Sequence, residues 1–261
     1  MSLRACLLLT AVSFALLLSA CGSSKSQQPT TRAGAIVPTM PAGSSVFVRA
    51  YYVRGGKMAA SGRNFVHTLA VGQASIVLLL GGPTTAERNT GLSTALPENT
   101  ELKNVTTKDR RMTVRFSRNL DRVARAQVVT TLTQFPSIHD VVIVTPSGST
   151  RPLDRADFEA LMPAVLVENP IPFAQVRSPL RVSGSSNTFE ATSQLELLDA
   201  NGKLLASKTV TASSGTGTRG TFSVSFRFKA PAGAATLVSY EESAKDGSRI
   251  DVVRIPLRIS R

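Results

Sequence analysis

The sequence predicts an α+β domain, with helices packed on a mixed sheet, followed by an all-β immunoglobulin-like sandwich. In the first half, segments with helical spacing of apolar residues alternate with segments of period two. Beyond about residue 166, only short period-two segments separated by turn residues occur. The length of 261 residues is sufficient for two domains of ordinary size.

Residues 1–20 are predicted to be a signal peptide. Arg4 supplies positive charge, and residues 5–17 are almost entirely apolar but too few to span a membrane. The following Leu18-Ser19-Ala20-Cys21 resembles the lipobox of bacterial lipoproteins. The resemblance implies cleavage before Cys21 and acylation, with fatty acids such as palmitate anchoring the chain on the extracytoplasmic face of the cell membrane. Alternatively, the protein is secreted and Cys21 is incidental.

Residues 21–45 are predicted to form a flexible linker, because Ser, Gln, Pro, Thr and Gly predominate from Gly22 to Gly34 and cannot bury a core. Cys6 would leave with the signal peptide, so Cys21 would be the remaining cysteine. An internal disulfide is therefore excluded from the mature chain, and the domains must depend on packed cores.

The formal net charge of +13 favours anionic partners such as phospholipid head groups or wall polymers. Nucleic acid is not expected as a partner, because the chain is predicted to be exported. The expected partners are the membrane, through the lipid on Cys21, and a cell-wall polymer or an envelope protein. The alternative is that the positive charge only keeps the protein soluble.

The first domain is predicted to span residues 46–150 and to begin with a buried strand over 46–52, followed by a turn at Arg54-Gly55-Gly56-Lys57. Residues 57–64 are too small and polar to assign. An amphipathic helix buried on one side, including Val77, is predicted over 66–80 and is ended by Gly81-Gly82-Pro83.

Four further elements are predicted in this domain. They are a short helix with capping-box spacing between Thr84 and Glu87, a hairpin of strands 101–107 and 111–117, a helix over 121–135 that buries Phe135, and a buried strand over 141–144.

These residues resemble the GerMN domain of the sporulation and spore-germination family. The resemblance rests on Leu80-Gly81-Gly82-Pro83-Thr84, Glu87, Gly91-Leu92, Ala95-Leu96-Pro97, Thr100, Ala126-Gln127-Val128-Val129 and Leu132-Thr133-Gln134-Phe135-Pro136. It implies an α+β fold and no established catalytic residues. Residues 57–64 depart from the family, because the apolar strand usual there is weak.

A connecting segment, residues 151–165, has a short helical pattern and is expected to pack between the domains. In residues 166–261, strands are predicted over 180–183, 195–198, 204–211, 221–228, 237–241 and 250–259. Asp199-Ala200-Asn201-Gly202 is predicted to be a hairpin loop, and Pro256 suits an edge position.

The second half resembles the immunoglobulin-like domain that accompanies GerMN domains. The resemblance rests on Pro179-Leu180-Arg181-Val182-Ser183-Gly184, Phe189-Glu190-Ala191, Leu198-Asp199-Ala200-Asn201-Gly202, Glu242-Ser243-Ala244-Lys245-Asp246-Gly247-Ser248 and Val253-Arg254-Ile255-Pro256. It implies binding or spacing rather than chemistry.

An acidic rim is the candidate binding surface of the second domain. It comprises Glu190, Glu241, Glu242, Asp246 and Asp251. These carboxylates could bind Ca²⁺, but their spacing matches no calcium loop, so a solvated rim is preferred and no metal is predicted.

The remaining motifs predict no cofactor. Residues 215–220 fit G-x-G-x-x-G, but a period-two strand follows them, which predicts a loop between strands. His67 and His139 lack partners at ligand spacing apart from Asp140. Three arginines, Arg227, Arg254 and Arg258, either form a basic stripe on one sheet face or are ordinary solvated residues.

The predicted function is therefore non-catalytic. We expect a membrane-anchored lipoprotein that binds or scaffolds a cell-envelope component. The alternatives are an enzyme of cell-wall metabolism and an accessory solute-binding lipoprotein.

Overall fold

The computed structural model describes residues 45–66 and 70–261, so the predicted signal peptide, Cys21 and His67 lie outside the described residues. The described chain is mostly β-strand. The strands are β1 (Ser45–Arg54), β2 (Lys57–Val66), β3 (Leu102–Lys108), β4 (Arg111–Phe116), β5 (Asp140–Thr145), β6 (Gly148–Ser149), β7 (Val165–Asn169), β8 (Gln175–Val176), β9 (Leu180–Ser186), β10 (Thr192–Asp199), β11 (Leu204–Thr211), β12 (Gly220–Phe226), β13 (Gly233–Glu242) and β14 (Arg249–Ile259). The α-helices are α1 (Val71–Leu80), α2 (Thr85–Arg88) and α3 (Arg122–Leu132), and short 3₁₀ helices occur at Ala156–Leu161 and Phe189–Ala191.

The first two strands form a hairpin around the predicted Gly-Gly turn. They pair antiparallel from Ser45 opposite Val66 to Arg54 opposite Lys57. The second strand is the segment whose small residues gave no strand pattern. At Gly62, a Cβ atom would lie 2.5 Å from Cζ of Phe47, so the neighbouring strand leaves no room for a side chain.

The prediction for the first helix is wrong at its N-terminus. Residue 66 ends β2, and the helix begins at Val71 because the β1–β2 pairing extends further along the chain. Burial is also less one-sided than predicted, since Val77 is 41% exposed while Ile76 and Leu79 are fully buried. The predicted end is confirmed, and Gly81 N–H donates to Val77 O at 3.0 Å.

The next sheet has the order β3-β4-β5-β6, in which β4 and β5 are parallel and the other pairs are antiparallel. The predicted hairpin turns at Asp109 and Arg110, which both have positive φ. Helix α3 begins after Asp121, whose side chain accepts from Ala124 N–H at 2.7 Å. It ends at Leu132, before the predicted Phe135, which is only half-buried.

Two sheets form the immunoglobulin-like part. Their strand orders are β11-β10-β13-β14-β8 and β12-β9-β7, and apolar side chains between the sheets form a core of their own. The six predicted strands are present, while β7 and β8 were not predicted. The predicted hairpin loop is closed by Asp199, whose carboxylate accepts from the backbone N–H of Asn201 and Lys203.

Strand β7 belongs to both cores. Leu166 packs in the core of the first half, whereas Val165 and Val167 pack in the core of the second. Successive side chains of a strand point to opposite faces, so one short strand closes both cores. This sharing places the described residues of the two halves in one compact unit. No helix in the described residues is long and apolar enough to span a membrane.

Candidate binding groove at the domain junction

A cluster of charged and aromatic side chains joins the first half to β7. Arg155 Nη1 lies 3.0 Å from Glu168 Oε1, and its Nη2 donates to Tyr51 Oη at 3.2 Å and to Thr130 O at 3.0 Å. The Tyr51 hydroxyl donates to Glu168, and burial raises its pKa, so the phenol stays protonated. Arg49 Nε donates to the carbonyl of Glu168 at 2.9 Å.

A second ion pair joins the connecting segment to the immunoglobulin-like part. Arg219 Nε lies 3.0 Å from Glu159 Oε2, and Arg219 Nη2 donates to Pro163 O at 2.7 Å. Asn187 Nδ2 donates to Glu159 at 3.0 Å. Burial alone would raise the pKa of Glu159, but the hydrogen bonds from Arg219 and Asn187 outweigh it and the pKa is lowered. Glu159 is therefore an anion at neutral pH.

Between these two halves lies a groove with a volume of about 310 Å³. Three segments from different parts of the chain line it. They are the β1–β2 turn with Arg54 and the start of β2, the strand β7, and the segment of β14 from Asp251 to Ile255. Most of the walls are apolar, as at Met58, Val165 and Val253, and charged residues at the groove are Arg54, Lys57, Asp251 and Arg254.

The β14 side of the groove is an open sheet edge. This strand pairs with β13 on one side, but on the other side its only ladder pairs are Arg258 with Gln175 and Ile259 with Val176, in β8. The part before Pro256 therefore has no neighbouring strand in the described chain. Two apolar side chains of this part, Ile250 and Val252, are 40% and 41% exposed.

Arg54 is a half-buried cation at the groove. Its Nη1 donates to Arg254 O at 3.0 Å and its Nη2 to Thr90 Oγ1 at 3.2 Å, while Nε is buried and has no hydrogen-bond partner in the described structure. None of the ion pairs among residues 45–66 and 70–261 includes Arg54. Burial lowers the pKa of its guanidinium, which indicates a desolvated charge.

The structure brings two members of the predicted acidic rim to one loop. Glu241 Oε1 accepts from Phe189 N–H at 2.7 Å, and Glu190 N–H donates to Thr216 Oγ1 at 3.1 Å. The Glu241 carboxylate therefore holds the backbone at Phe189, next to Glu190.

The other rim members are spread out. Glu242 accepts from Gln194 Nε2 at 3.3 Å, whereas Asp246 accepts from Ser248 N–H at 3.0 Å within the β13–β14 turn, and hydrogen bonds from Ser248 lower its pKa. Asp251 lines the groove. A role of the rim in binding remains a prediction.

The remaining sequence candidates give no alternative site. No group of three or more His, Cys, Asp or Glu residues in the described part of the chain could hold a metal ion. His139 is exposed and contacts Asp140. Of the two alternatives for the three arginines, a basic stripe on one sheet face does not form, because Arg227 follows β12 in one sheet while Arg254 and Arg258 lie on β14 in the other.

The loop predicted at residues 215–220 is confirmed for residues 215–219, which lie between β11 and β12, while Gly220 begins β12. The residues that sequence reasoning missed are Arg54 and the Arg155–Glu168 pair. The sequence predicted only a turn at Arg54. Its position before Gly55-Gly56 did not indicate a contact with β14. Pairs that join residues from different domains leave no local pattern.

Family models match both halves of the chain. Residues 49–145 match the family described as sporulation and spore germination, and residues 164–248 match the immunoglobulin-like domain of bacterial spore germination. The chain therefore contains a domain of the sporulation and spore-germination family, followed by the immunoglobulin-like domain of bacterial spore germination. Both resemblances inferred from the sequence are thereby confirmed, and this membership suggests a non-catalytic role.

Solved structures with similarity to this chain include the tandem GerMN domains of the sporulation protein GerM from Bacillus subtilis. That match has 21% identity, covers 47% of this chain and 48% of the other, and has a TM-score of 0.35. A putative lipoprotein from Clostridium perfringens shows 19% identity over 46% of this chain and 95% of its own, with a TM-score of 0.29. The chain thus matches about half the length of the tandem structure. No curated protein matches it.

These TM-scores are below 0.5, so the family assignment rests on the two family models and not on the structural matches.

Proposed function

We propose that this GerM-like protein is a non-catalytic lipoprotein of the cell envelope that binds or scaffolds an envelope component through the junction groove. In this proposal, residues 46–150 are an α+β domain, and a lipid on Cys21 holds the protein on the extracytoplasmic face of the membrane. The observation that carries the proposal is that both halves of the molecule contribute walls to one groove.

The contacts around the groove support a preformed binding surface. Strand β7 packs in both cores, and the Arg155–Glu168 and Arg219–Glu159 pairs join the connecting segment to β7 and to the immunoglobulin-like part. A surface held in one shape loses little conformational entropy when a partner binds. This arrangement suits recognition better than a spacer with a mobile joint.

The anchoring part of the proposal is tested by metabolic labelling with an alkyne fatty acid. We expect the wild-type protein to be labelled and to fractionate with membranes, and the Cys21→Ser variant to be unlabelled and released. A wild-type protein that is unlabelled and released from membranes would refute lipid anchoring.

The binding part is tested by co-sedimentation of residues 40–261 with purified cell-wall sacculi at low and high salt. Binding that survives high salt indicates a specific surface, because salt screens exposed charges over about 10 Å at 0.1 M and less above that. Binding that disappears at high salt would indicate only nonspecific electrostatic attraction between a basic protein and an anionic polymer. Absence of binding at any salt would direct the search to a protein partner.

The groove volume also favours a second candidate, the solute-binding lipoprotein. A volume of about 310 Å³ lies at the lower end of the range of about 300–1,000 Å³ for small-molecule sites. A small carboxylic acid that raises the melting temperature of the wild type, but not of Arg54→Gln, would favour this candidate.

The enzyme alternative is tested by incubating the protein with muropeptides, with and without divalent metal. The appearance of new products would support an enzyme.

A further inference from the structure

We infer that the groove binds an extended peptide segment that adds as a strand to the open edge of β14 and places a carboxylate near Arg54. This inference rests on the proposed function, since it names the chemical class of the envelope partner. It is carried by three observations: the direction of the backbone groups of β14, the apolar walls, and the uncompensated positive charge.

The backbone of β14 presents hydrogen-bonding groups on its side away from β13, the side on which its open edge lies. The carbonyl of Arg254 accepts from Arg54, that of Pro256 accepts from Phe173 N–H at 2.6 Å, and Arg258 N–H donates to Ala174 O at 3.0 Å. These alternate residues all direct their backbone groups away from β13. In a strand, the N–H and C=O of one residue point to the same side, so the N–H of Arg254 also faces the open edge.

Pro256 defines where strand addition must stop. Proline has no N–H, and the carbonyl of Pro256 is already occupied by Phe173. The stretch available to a partner strand is therefore the one before it, around Val252 to Arg254. The β13–β14 ladder shifts register between Val253 and Ile250, so Asp251, with φ 51°, and Val252 lie in this irregularity and have no ladder partner in β13.

The groove offers apolar surface to alternate side chains of such a strand. Val252 is 41% exposed beside the edge, and the facing walls include Met58 and Val165. Strand addition combines backbone hydrogen bonds with pockets for every second side chain. Both parts of that recognition mode are present on this side of the molecule.

Charge identifies the polar part of the partner. Arg54, Lys57 and Arg254 line the groove against one carboxylate, that of Asp251. Lys57 donates to Ala160 O at 2.8 Å, and neither it nor Arg54 takes part in an ion pair among the described residues. A carboxylate on the partner would compensate the desolvated charge of Arg54, and hydrogen bonds between ionised groups are the stronger ones.

A peptide fits these features better than an anionic polymer does. A phosphate-rich or uronic polymer would satisfy the positive charge, but it would leave the apolar walls and the N–H of Arg254 without partners. A peptide with a carboxylate among apolar residues satisfies all three.

The experiment uses a displayed library of random nonapeptides, selected on immobilised residues 40–261. This range contains both described cores in one compact unit. Enriched peptides are synthesised, labelled, and titrated by fluorescence anisotropy at two salt concentrations. We expect an acidic residue at a fixed distance from apolar or β-branched residues. We also expect slower hydrogen exchange of the Val252 and Arg254 amides when a peptide binds.

Three variants separate the groove from general charge. Arg54→Gln should weaken peptide binding at least 10-fold, and so should Val252→Glu, which changes an exposed side chain and so leaves folding intact. Arg258→Gln is the control for charge, because it removes one positive charge from β14 beyond the open stretch, and it should stay within 2-fold of the wild type. Circular dichroism and melting temperatures confirm that each variant is folded.

Several results would overturn the inference. These are failure of the library to enrich, equal losses in Arg54→Gln and Arg258→Gln, insensitivity to Val252→Glu, or unchanged exchange at Val252 and Arg254. Polyphosphate binding that depends on Arg54, without any peptide binding, would assign the groove to an anionic polymer instead.

The proposed function can fail separately. Sacculus binding that is unaffected in Arg54→Gln, together with no peptide binding, would keep the envelope role and remove the groove from it. Peptide binding in a protein that is neither acylated nor found in the envelope would keep the groove and refute the envelope role.

Discussion

The Glu87→Gln substitution should lower the stability of the protein and remove part of its dependence on pH. The Glu87 side chain is only 4% exposed. Its carboxylate accepts from Arg63 Nη1 at 3.0 Å and from Thr84 N–H at 2.7 Å, and also from Ser61. Thr84 in turn accepts from Glu87 N–H, which completes the capping box of α2.

The expected magnitude follows from the pKa of Glu87. Burial by itself would raise it, but the hydrogen bonds from Arg63, Ser61 and Thr84 outweigh burial and lower the pKa from 4.5 to about 2. A folded pKa below the unfolded one stabilises the protein above pH 4.5, and this contribution is lost as the pH falls toward 2. The shift corresponds to about 3 kcal/mol at pH 7, of which about 2 kcal/mol is lost by pH 3.

Urea unfolding of residues 40–261 at pH 7 and pH 3 measures this effect. We expect Glu87→Gln to be about 3 kcal/mol less stable than the wild type at pH 7, because it leaves the Arg63 charge without its partner. The difference should shrink to about 1 kcal/mol at pH 3. Glu101→Gln is the control, because its pair with Lys103 is exposed and should not affect the unfolding midpoint. An equal pH slope in Glu87→Gln and the wild type would refute the reasoning.

Two further predictions test the junction. Arg155→Met should lower the free energy of unfolding by about 2 kcal/mol, because it leaves the partly buried carboxylate of Glu168 without its ion-pair partner. A decrease of less than about 0.5 kcal/mol, measured by urea unfolding, would contradict this prediction. Gly184→Ala should cost at least about 2 kcal/mol, because the new Cβ would overlap the carbonyl of Leu166 on β7, whereas Gly233→Ala, with open space around it, should melt like the wild type. Equal melting temperatures for the two alanine variants would contradict the β7–β9 packing.

The elements that local pattern predicts well are those whose two faces differ in burial. The β3–β4 hairpin buries Met112, Val114 and Phe116 on one face and exposes the alternate residues, and this alternation is visible in the sequence. Helix α3 likewise begins at a side-chain cap that can be read from the chain. In these cases, the environment of each residue follows from its neighbours in sequence.

The elements that were missed depend on distant partners. Strand β2 has a run of small residues over 59–62, so it lacks the apolar alternation of an ordinary strand, and at Gly62 the Phe47 ring of the neighbouring strand leaves no room for a side chain. Strand β7 is buried on both faces by two different cores, so it shows no alternation either.

The groove could not be predicted from the sequence for the same reason. Its walls come from three segments that are far apart in the chain, and its polar feature is an arginine without a carboxylate partner in the described structure. The predicted acidic rim, by contrast, was visible as a cluster of charges, but the structure uses Glu241 and Asp246 largely in local hydrogen bonds. Charge clustering in sequence therefore indicated an exposed surface, whereas the binding surface proposed above depends on tertiary contacts.

Site-specific photo-crosslinking in cells of the source organism tests directly whether the junction groove binds a partner in the cell envelope. A photoreactive amino acid replaces Val252 at the groove or, as the control, Leu204, which is 51% exposed at the opposite edge of the same sheet. We expect one discrete adduct from position 252 in the envelope fraction, which is lost when Arg54→Gln is added, and no such adduct from position 204. The same adducts from both positions, or none from position 252, would contradict it.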